Sequence, residues 1–128
     1  MNKLNSKGQT LVLFIIFIPI FLMIFAMIVD LSTLTIEKHE LESATIIALK
    51  YGLNHKEEND KENKMIEVFN LNTKDAQMKI QENNDVINIK SEKKVKTIFS
   101  KIIGKDLVKL EINIEGNKKD NKYKIKKN

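Results

Sequence analysis

The side chains that could carry chemistry in this sequence are two histidines, the acids and a large set of lysines. His39 and His55 are the only histidines, and neither has a second ligand at a spacing that zinc sites use. There is no cysteine, which excludes thiol catalysis, disulfides and zinc ribbons. The sequence also lacks the nucleophile-elbow, phosphate-loop and dinucleotide-binding motifs. We therefore expect two solvated histidines, no metal or cofactor, and a protein that is not an enzyme.

A second chemical feature is a lysine cluster at the C-terminal end. Residues 117–128 contain six lysines and one acid, Asp120, and this stretch accounts for the net charge of +5. Such a cluster attracts nucleic acid, phospholipid headgroups or wall polymer in a salt-dependent way. The chain has no arginine, and Tyr123 is the only aromatic residue of the cluster, so specific nucleic-acid recognition is not expected. A disordered, solvated tail is the favoured interpretation, and binding to an anionic surface is the alternative.

These residues belong to a chain dominated by an apolar run near its N-terminus. Residues 11–29 are nineteen consecutive residues, all apolar apart from Pro19, and as a helix they span about 28 Å, the thickness of a bilayer core. A secretory signal has a shorter apolar core and a small-residue cleavage pattern, and this run has neither. Because Lys3 and Lys7 precede the run and Asp30 follows it, we expect a single-pass protein of the cytoplasmic membrane, with its N-terminus cytoplasmic and its C-terminal domain extracytoplasmic.

The helical pattern continues beyond the apolar run. Apolar residues recur at steps of three, four or seven and form one narrow stripe: Met27, Leu31, Leu34, Leu41, Ala44, Ala48 and Tyr51. Lys38 interrupts the stripe, and Gly52 is the expected end of the helix. We predict a helix from about Thr10 to Tyr51. It is either a pilin-like spine or a membrane anchor followed by the first helix of a small soluble domain.

The rest of the chain has the patterns of a small α+β domain. Alternating apolar and polar residues predict three strands, around 76–80, 87–89 and 108–114. Turn residues stand at 82–85, a helical face runs from Val95 to its cap at Gly104, and an apolar patch at 65–69 fits one or two helical turns. The predicted N-terminal segments are a cytoplasmic leader at 1–10, a transmembrane helix at 11–29 and its extracytoplasmic continuation at 30–53. A polar loop at 54–64 leads to the α+β domain at 65–116, which has about three antiparallel strands and one or two short helices. A disordered tail follows at 117–128.

Two stretches of the sequence carry a family pattern. The first has a glycine before the apolar helix, a proline about eleven residues later, an acid at the membrane exit and a helix with small residues beyond it, matched by Gly8, Pro19, Asp30, Leu41, Ala44, Ala48 and Leu49. The second is a strand–helix–strand ending, matched by Thr97, Phe99, Ile103 and Gly104. Together they resemble the TadE/TadG-like proteins of Tad (tight adherence, or Flp) pilus assembly, over about half of the chain.

The resemblance implies an accessory subunit or minor pseudopilin of an adhesive pilus or a type II secretion-like machine, with other subunits of that machine as partners. A prepilin peptidase would cut the bond between Gly8 and Gln9. Prepilin substrates normally have a glutamate five residues beyond the cut, where this chain has Leu13, so the TadG-like members fit better. For the membrane helix we select Pro19 and Asp30, the latter as either the partner of another helix or a simple interfacial residue. The residues that we select for helix packing are Leu31, Leu34, Leu41, Ala44 and Ala48.

Overall fold

The computed structural model describes residues 3–104 and 107–126, and its longest element is helix α1 (Lys3–Asn54). This helix has 52 residues, is about 78 Å long at 1.5 Å per residue, and continues without interruption through Pro19. It extends beyond the predicted limits at both ends. The first two residues of the predicted leader lie outside the described residues.

Gly52 does not end α1 as predicted. The described glycine with a positive φ is Gly104, so Gly52 is not a left-handed cap. A Cβ atom placed on Gly52 would lie 2.6 Å from the Sδ atom of Met65, a residue of helix α2 (Lys61–Asn72). The missing side chain lets α2 approach α1 closely, and α1 continues to Asn54.

Helix α2 is longer than the one or two turns predicted around 65–69. It begins inside the predicted polar loop, and its buried residues Lys61, Met65 and Phe69 follow a spacing of four, which places them on one face of the helix. A lysine in a charged run is ordinarily solvated. Because the first residue of this buried face is a lysine, the pattern of apolar residues does not indicate where the helix begins.

The strands form one antiparallel sheet in the order β1–β2–β3–β4. They are β1 (Ala76–Glu82), β2 (Val86–Val95), β3 (Val108–Asn117) and β4 (Lys122–Lys126). The predicted α+β class is confirmed, and the three predicted strands correspond to β1, β2 and β3. The fourth strand comes from the predicted tail.

Strand β4 shows that the prediction of a disordered C-terminal tail was wrong for this segment. Tyr123 is paired with Gly116 of β3, and Ile125 is paired with Ile114. Tyr123 and Ile125 alternate with lysines, which is the period-two pattern of a strand, but the high charge of the segment concealed it. The last two residues of the tail lie outside the described residues.

Helix α3 (Ile98–Ile103) connects β2 to β3. Thr97 is its N-cap: the Thr97 side chain accepts the N–H of Ser100 at 3.0 Å, and the Ser100 hydroxyl accepts the N–H of Thr97 at 2.9 Å. Gly104 ends the helix with a φ of 71°, as the sequence predicted. Val95, the predicted start of this helical face, instead ends β2, because the extended backbone at Thr97 separates strand from helix.

The core of the domain lies between α1, α2 and the inner face of the sheet. Its buried apolar side chains are Leu41, Ala44, Ala48, Leu49 and Leu53 of α1, Met65 and Phe69 of α2, and Ile87, Ile89, Ile112 and Ile114 of the sheet. Gly116 of β3 belongs to the same contact, since a Cβ atom there would lie 2.7 Å from Cδ1 of Leu49. The C-terminal half of α1 is therefore the central element of the domain, and its N-terminal half extends away from it.

Candidate functional site

The N-terminal half of α1 presents apolar side chains in every direction. Between Leu11 and Val29 the large apolar side chains are 45–68 % exposed. Within the described residues, α1 is the one helix that is long and apolar enough to cross a membrane. A helix that is apolar all round needs lipid or protein around it. The finding is consistent with a single membrane span or with a signal sequence.

Asp30, the first residue after this apolar run, is buried and bonded to α3. Its side chain accepts two backbone hydrogen bonds, at 2.7 Å from the N–H of Ile98 to Oδ1 and at 3.0 Å from the N–H of Phe99 to Oδ2. The relative exposure of Asp30 is 7 %. The sequence analysis considered a partner helix or an interfacial position for this acid. The structure gives it a role within its own chain, 68 residues away from the first amide that it binds.

This contact completes the N-terminus of α3. The first N–H groups of a helix have no partner inside the helix. The capping box satisfies the amides of Thr97 and Ser100, and Asp30 satisfies those of Ile98 and Phe99. A carboxylate at this position is also favoured by the helix dipole. All four amides are satisfied only while α3 lies against α1, so α3 is fixed beside the end of the apolar run.

Two further polar contacts join α1 to β2. The hydroxyl oxygens of Thr45 and Ser91 are 2.7 Å apart, and both residues are fully buried. The ammonium group of Lys93 lies 2.5 Å from Oε2 of Glu37. Together with the Asp30 contact they form what we call the polar ladder, in which Asp30, Glu37 and Thr45 contact the sheet and α3 at intervals of seven and eight residues along α1.

The middle contact of the polar ladder buries a charge. Lys93 is 8 % exposed, and its ammonium also lies 3.8 Å from Oε2 of Glu40 and donates to the Thr73 hydroxyl at 3.3 Å. Oε2 of Glu37, the oxygen that faces the ammonium, is buried, although the Glu37 side chain as a whole is 28 % exposed. A buried charge is strongly unfavourable unless it is paired. The ion pair between Lys93 and Glu37 therefore compensates the burial of both groups.

The polar ladder also shows how strand β2 is oriented relative to α1. From Ser91 to Ile98 the chain moves forward, while the partner residues on α1 run backward from Thr45 to Asp30. Strand β2 is therefore antiparallel to α1. As a result, the end of β2 and the whole of α3 lie beside the end of the apolar run.

At the opposite end of the domain, two lysines form ion pairs with one glutamate. The ammonium group of Lys61 is 2.5 Å from Oε1 of Glu82, and Lys118 is paired with the same oxygen. Hydrogen bonds from Lys118 and then from Lys61 lower the pKa of the Glu82 carboxyl below its usual value. The cluster joins α2 to the end of β1 and to the turn after β3, and it leaves Lys61 only 6 % exposed.

Three of the predicted site residues lie on the apolar half of α1. Gly8 and Gln9 are in its first turns, and a Cβ atom on Gly8 would meet no atom within 4 Å. Pro19 is exposed in the middle of the apolar run. All three therefore lie on the part of α1 that extends away from the folded domain.

The stripe selected for helix packing divides into two parts. Leu41, Ala44 and Ala48 are fully buried in the core, whereas Leu31 is 62 % exposed and Leu34 is half-buried. Besides Asp30, the buried residues of α1 that the stripe omitted are Thr45, Leu49, Gly52 and Leu53. They were missed because a helix that packs against both a sheet and another helix buries a face wider than a single stripe.

The two histidines are on the surface. His39 is exposed on α1. His55, also exposed, stacks its ring on Tyr51 with the ring centroids 4.1 Å apart. Across residues 3–104 and 107–126, no group of three or more histidine or acidic side chains is arranged to hold a metal ion.

No protein-family model, curated protein or solved structure matches this chain. The class of the molecule is therefore defined by its own geometry. A long N-terminal helix is apolar and exposed in its first half, and its second half packs against a four-stranded antiparallel sheet. This is a pilin-like architecture.

Proposed function

We propose that the chain is a non-enzymatic, single-pass subunit of a Tad-type (Flp) pilus or a type II secretion-like assembly in the bacterial cell envelope. It acts as an accessory or minor pseudopilin-like subunit, or as a scaffold. The observation that carries the proposal is the continuity of α1. One unbroken helix supplies both the exposed apolar run and the central element of the domain core.

The physical reason is that such a helix couples two environments. Residues 11–29 match the thickness of a bilayer core, and their side chains have no partner in the domain. In the membrane they are free to pack against the helices of other subunits. The polar ladder holds the domain rigidly on the same helix, so a contact made in the membrane also positions the domain outside. This coupling is what an assembly subunit needs.

The N-terminus offers a direct test through processing between Gly8 and Gln9. We expect a prepilin peptidase, co-expressed with the full chain, to yield a mature protein that begins at Gln9. The segment before Gln9 makes no packing contact at the Gly8 position, so the first turns of α1 can open locally at little cost. Intact-mass spectrometry of the purified protein measures the cut.

The matched variant for this test is Gly8→Leu. Leucine is a better helix former than glycine, so membrane insertion should be unchanged while the uncut chain accumulates. If the unsubstituted chain keeps its first eight residues in the presence of an active peptidase, the pseudopilin role is ruled out and only the scaffold role remains. Processing of Gly8→Leu at the same rate would show that the cut does not depend on this glycine.

The alternative function is a membrane-tethered extracytoplasmic module that binds anionic surfaces through its lysine-rich segment. The observation that favours it is the alternation in β4, where Tyr123 and Ile125 pair with core residues of β3 while Lys122 and Lys124 occupy the other, outer face of the sheet. Both lysines are exposed. Lys124 lies opposite Glu115 of β3, and exposed lysines on an edge strand attract polyanions.

This geometry decides how the alternative is tested. Deletion of the tail would also remove β4 and uncover the edge of β3, so we expect substitution to be cleaner. Lys122→Gln with Lys124→Gln should weaken binding to heparin–agarose, with elution at lower salt, while Lys79→Gln on β1 should not. Equal elution of all three proteins would contradict binding through β4. Normal assembly of the doubly substituted protein in cells would separate this activity from the main proposal.

A further inference from the structure

A small apolar surface remains uncovered at the corner of the domain beside the apolar run. Ile102 and Ile103 of α3 are 71 % and 60 % exposed, and Ile98 of the same helix is 38 % exposed. We call these three residues the foot. Large apolar side chains that cluster on the surface of a small domain mark a site that contacts another apolar medium.

The position of the foot is fixed by the first contact of the polar ladder. Asp30 directly follows Val29, the last residue of the apolar run, and it binds the first two amides of α3. Helix α3 has six residues and is therefore about 9 Å long. The foot cannot lie far from the level at which α1 leaves the apolar medium that surrounds its first half.

The charges around the foot fit the same position. Lys96 lies two residues before the foot, Lys101 lies within it between Ile98 and Ile102, and both are exposed. Lysine side chains beside an apolar face are typical of helices that lie in the headgroup region, where the apolar side chains enter the acyl boundary and the ammonium groups reach the phosphates. Leu31, the residue after Asp30, is also 62 % exposed and extends the apolar surface of α1 up to this level.

We infer that the foot is a second membrane contact, in which α3 inserts its isoleucines into the phospholipid interface of the bilayer that α1 spans. The apolar run is continuous with the foot through Asp30, which is why lipid is the occupant that we assign. The inference rests on the proposed membrane span of α1. Its consequence is a two-point attachment that fixes the tilt of the domain, which a single helix would leave free to swing.

The absence of cysteine allows a direct test with single-cysteine variants of the full chain. Ile102→Cys is labelled with a nitroxide and reconstituted into vesicles of phosphatidylcholine and phosphatidylglycerol, and its depth is measured from collisions with oxygen and with a water-soluble nickel complex. We expect the label to lie about 5–10 Å into the headgroup and acyl boundary, as the apolar face of an interfacial helix does. Ile103→Cys is the second variant, and both positions are exposed enough to accept the change.

Two controls separate this inference from the proposed span. Phe21→Cys in the middle of the apolar run should report the bilayer centre, and Asn84→Cys in the β1–β2 turn should report water. A buried Phe21 label with foot labels as accessible as Asn84 would overturn the foot and leave the span standing. A water-accessible Phe21 label would overturn the span itself. Foot labels shielded from both oxygen and nickel would show that protein covers the foot, which would also overturn lipid as its occupant.

Discussion

Replacing Lys93 with methionine should lower the free energy of unfolding of the domain by about 3 kcal/mol. Removal of one partner from a buried ion pair costs about 3–5 kcal/mol, and the lower end applies because the Glu37 side chain is 28 % exposed. The loss arises because the Glu37 carboxylate stays in place without its ammonium partner. Guanidinium titration of the full chain in detergent micelles measures it, with tyrosine fluorescence as the signal, since both tyrosines lie in the domain and there is no tryptophan.

Two variants make this prediction specific. Lys94→Met changes the adjacent, exposed lysine of the same strand and should alter stability by less than about 0.5 kcal/mol. The double variant Glu37→Met with Lys93→Met should recover most of the loss, because apolar replacement of a whole buried pair is often neutral. Equal stabilities of Lys93→Met and Lys94→Met would show that the ion pair contributes nothing to the domain.

Replacing Asp30 with alanine should cost a similar amount, about 3 kcal/mol, since each hydrogen bond to a charged group contributes about 1.5–3 kcal/mol. The amides of Ile98 and Phe99 lose their Asp30 acceptors together, and residues 3–104 and 107–126 supply neither with a second one. Asp30→Asn should give a smaller loss, because its amide oxygen can accept from one N–H while its amino group faces the other. The same guanidinium titration ranks the three proteins.

Hydrogen exchange distinguishes this local role from a general loss of stability. In Asp30→Ala the amides of Ile98 and Phe99 should exchange much faster, whereas those of the strand β3 core should change only as far as global stability does. Asp85→Ala is the control, because the Asp85 side chain is 55 % exposed and pairs with the exposed Lys119. Unchanged exchange at Ile98 and Phe99 in Asp30→Ala would show that the carboxylate does not hold α3.

Much of the fold could be predicted from local patterns. The apolar run, the long helix that continues past it and the alternation in β1, β2 and β3 all depend on residues close together in the sequence. Gly104 was recognised as a cap from its position after an apolar helical face, and its φ of 71° confirms this. These features are local, so a single sequence contains them.

The errors at α2 and β4 came from lysines whose environment depends on distant partners. Lys61 belongs to the buried face of α2 because Glu82 neutralises it, and Lys93 is buried because α1 supplies Glu37. Strand β4 was missed for the related reason that its lysines outnumber Tyr123 and Ile125. In each case the charge of the lysines predicts solvent-exposed side chains. Only the folded structure brings the compensating carboxylate or core contact to the segment.

The sequence predicted individual residues of the candidate site but not the contact that joins them. The sequence indicated that Asp30 is unusual and that Gly104 ends a helix, although it placed the start of that helix at Val95 rather than after Thr97. No local pattern connects an acid with an amide 68 residues further along the chain. That connection places α3 beside the end of the apolar run.

If the apolar run is held in a membrane, as we propose, the polar ladder has a mechanical consequence. Because β2 runs antiparallel to α1 and is joined to it at Asp30, Glu37 and Thr45, traction along the helix axis loads the three contacts in shear. Contacts loaded in shear share the force and must yield together, whereas contacts that are peeled apart yield one after another. Tension applied to the domain therefore passes into the membrane helix through the whole length of the junction.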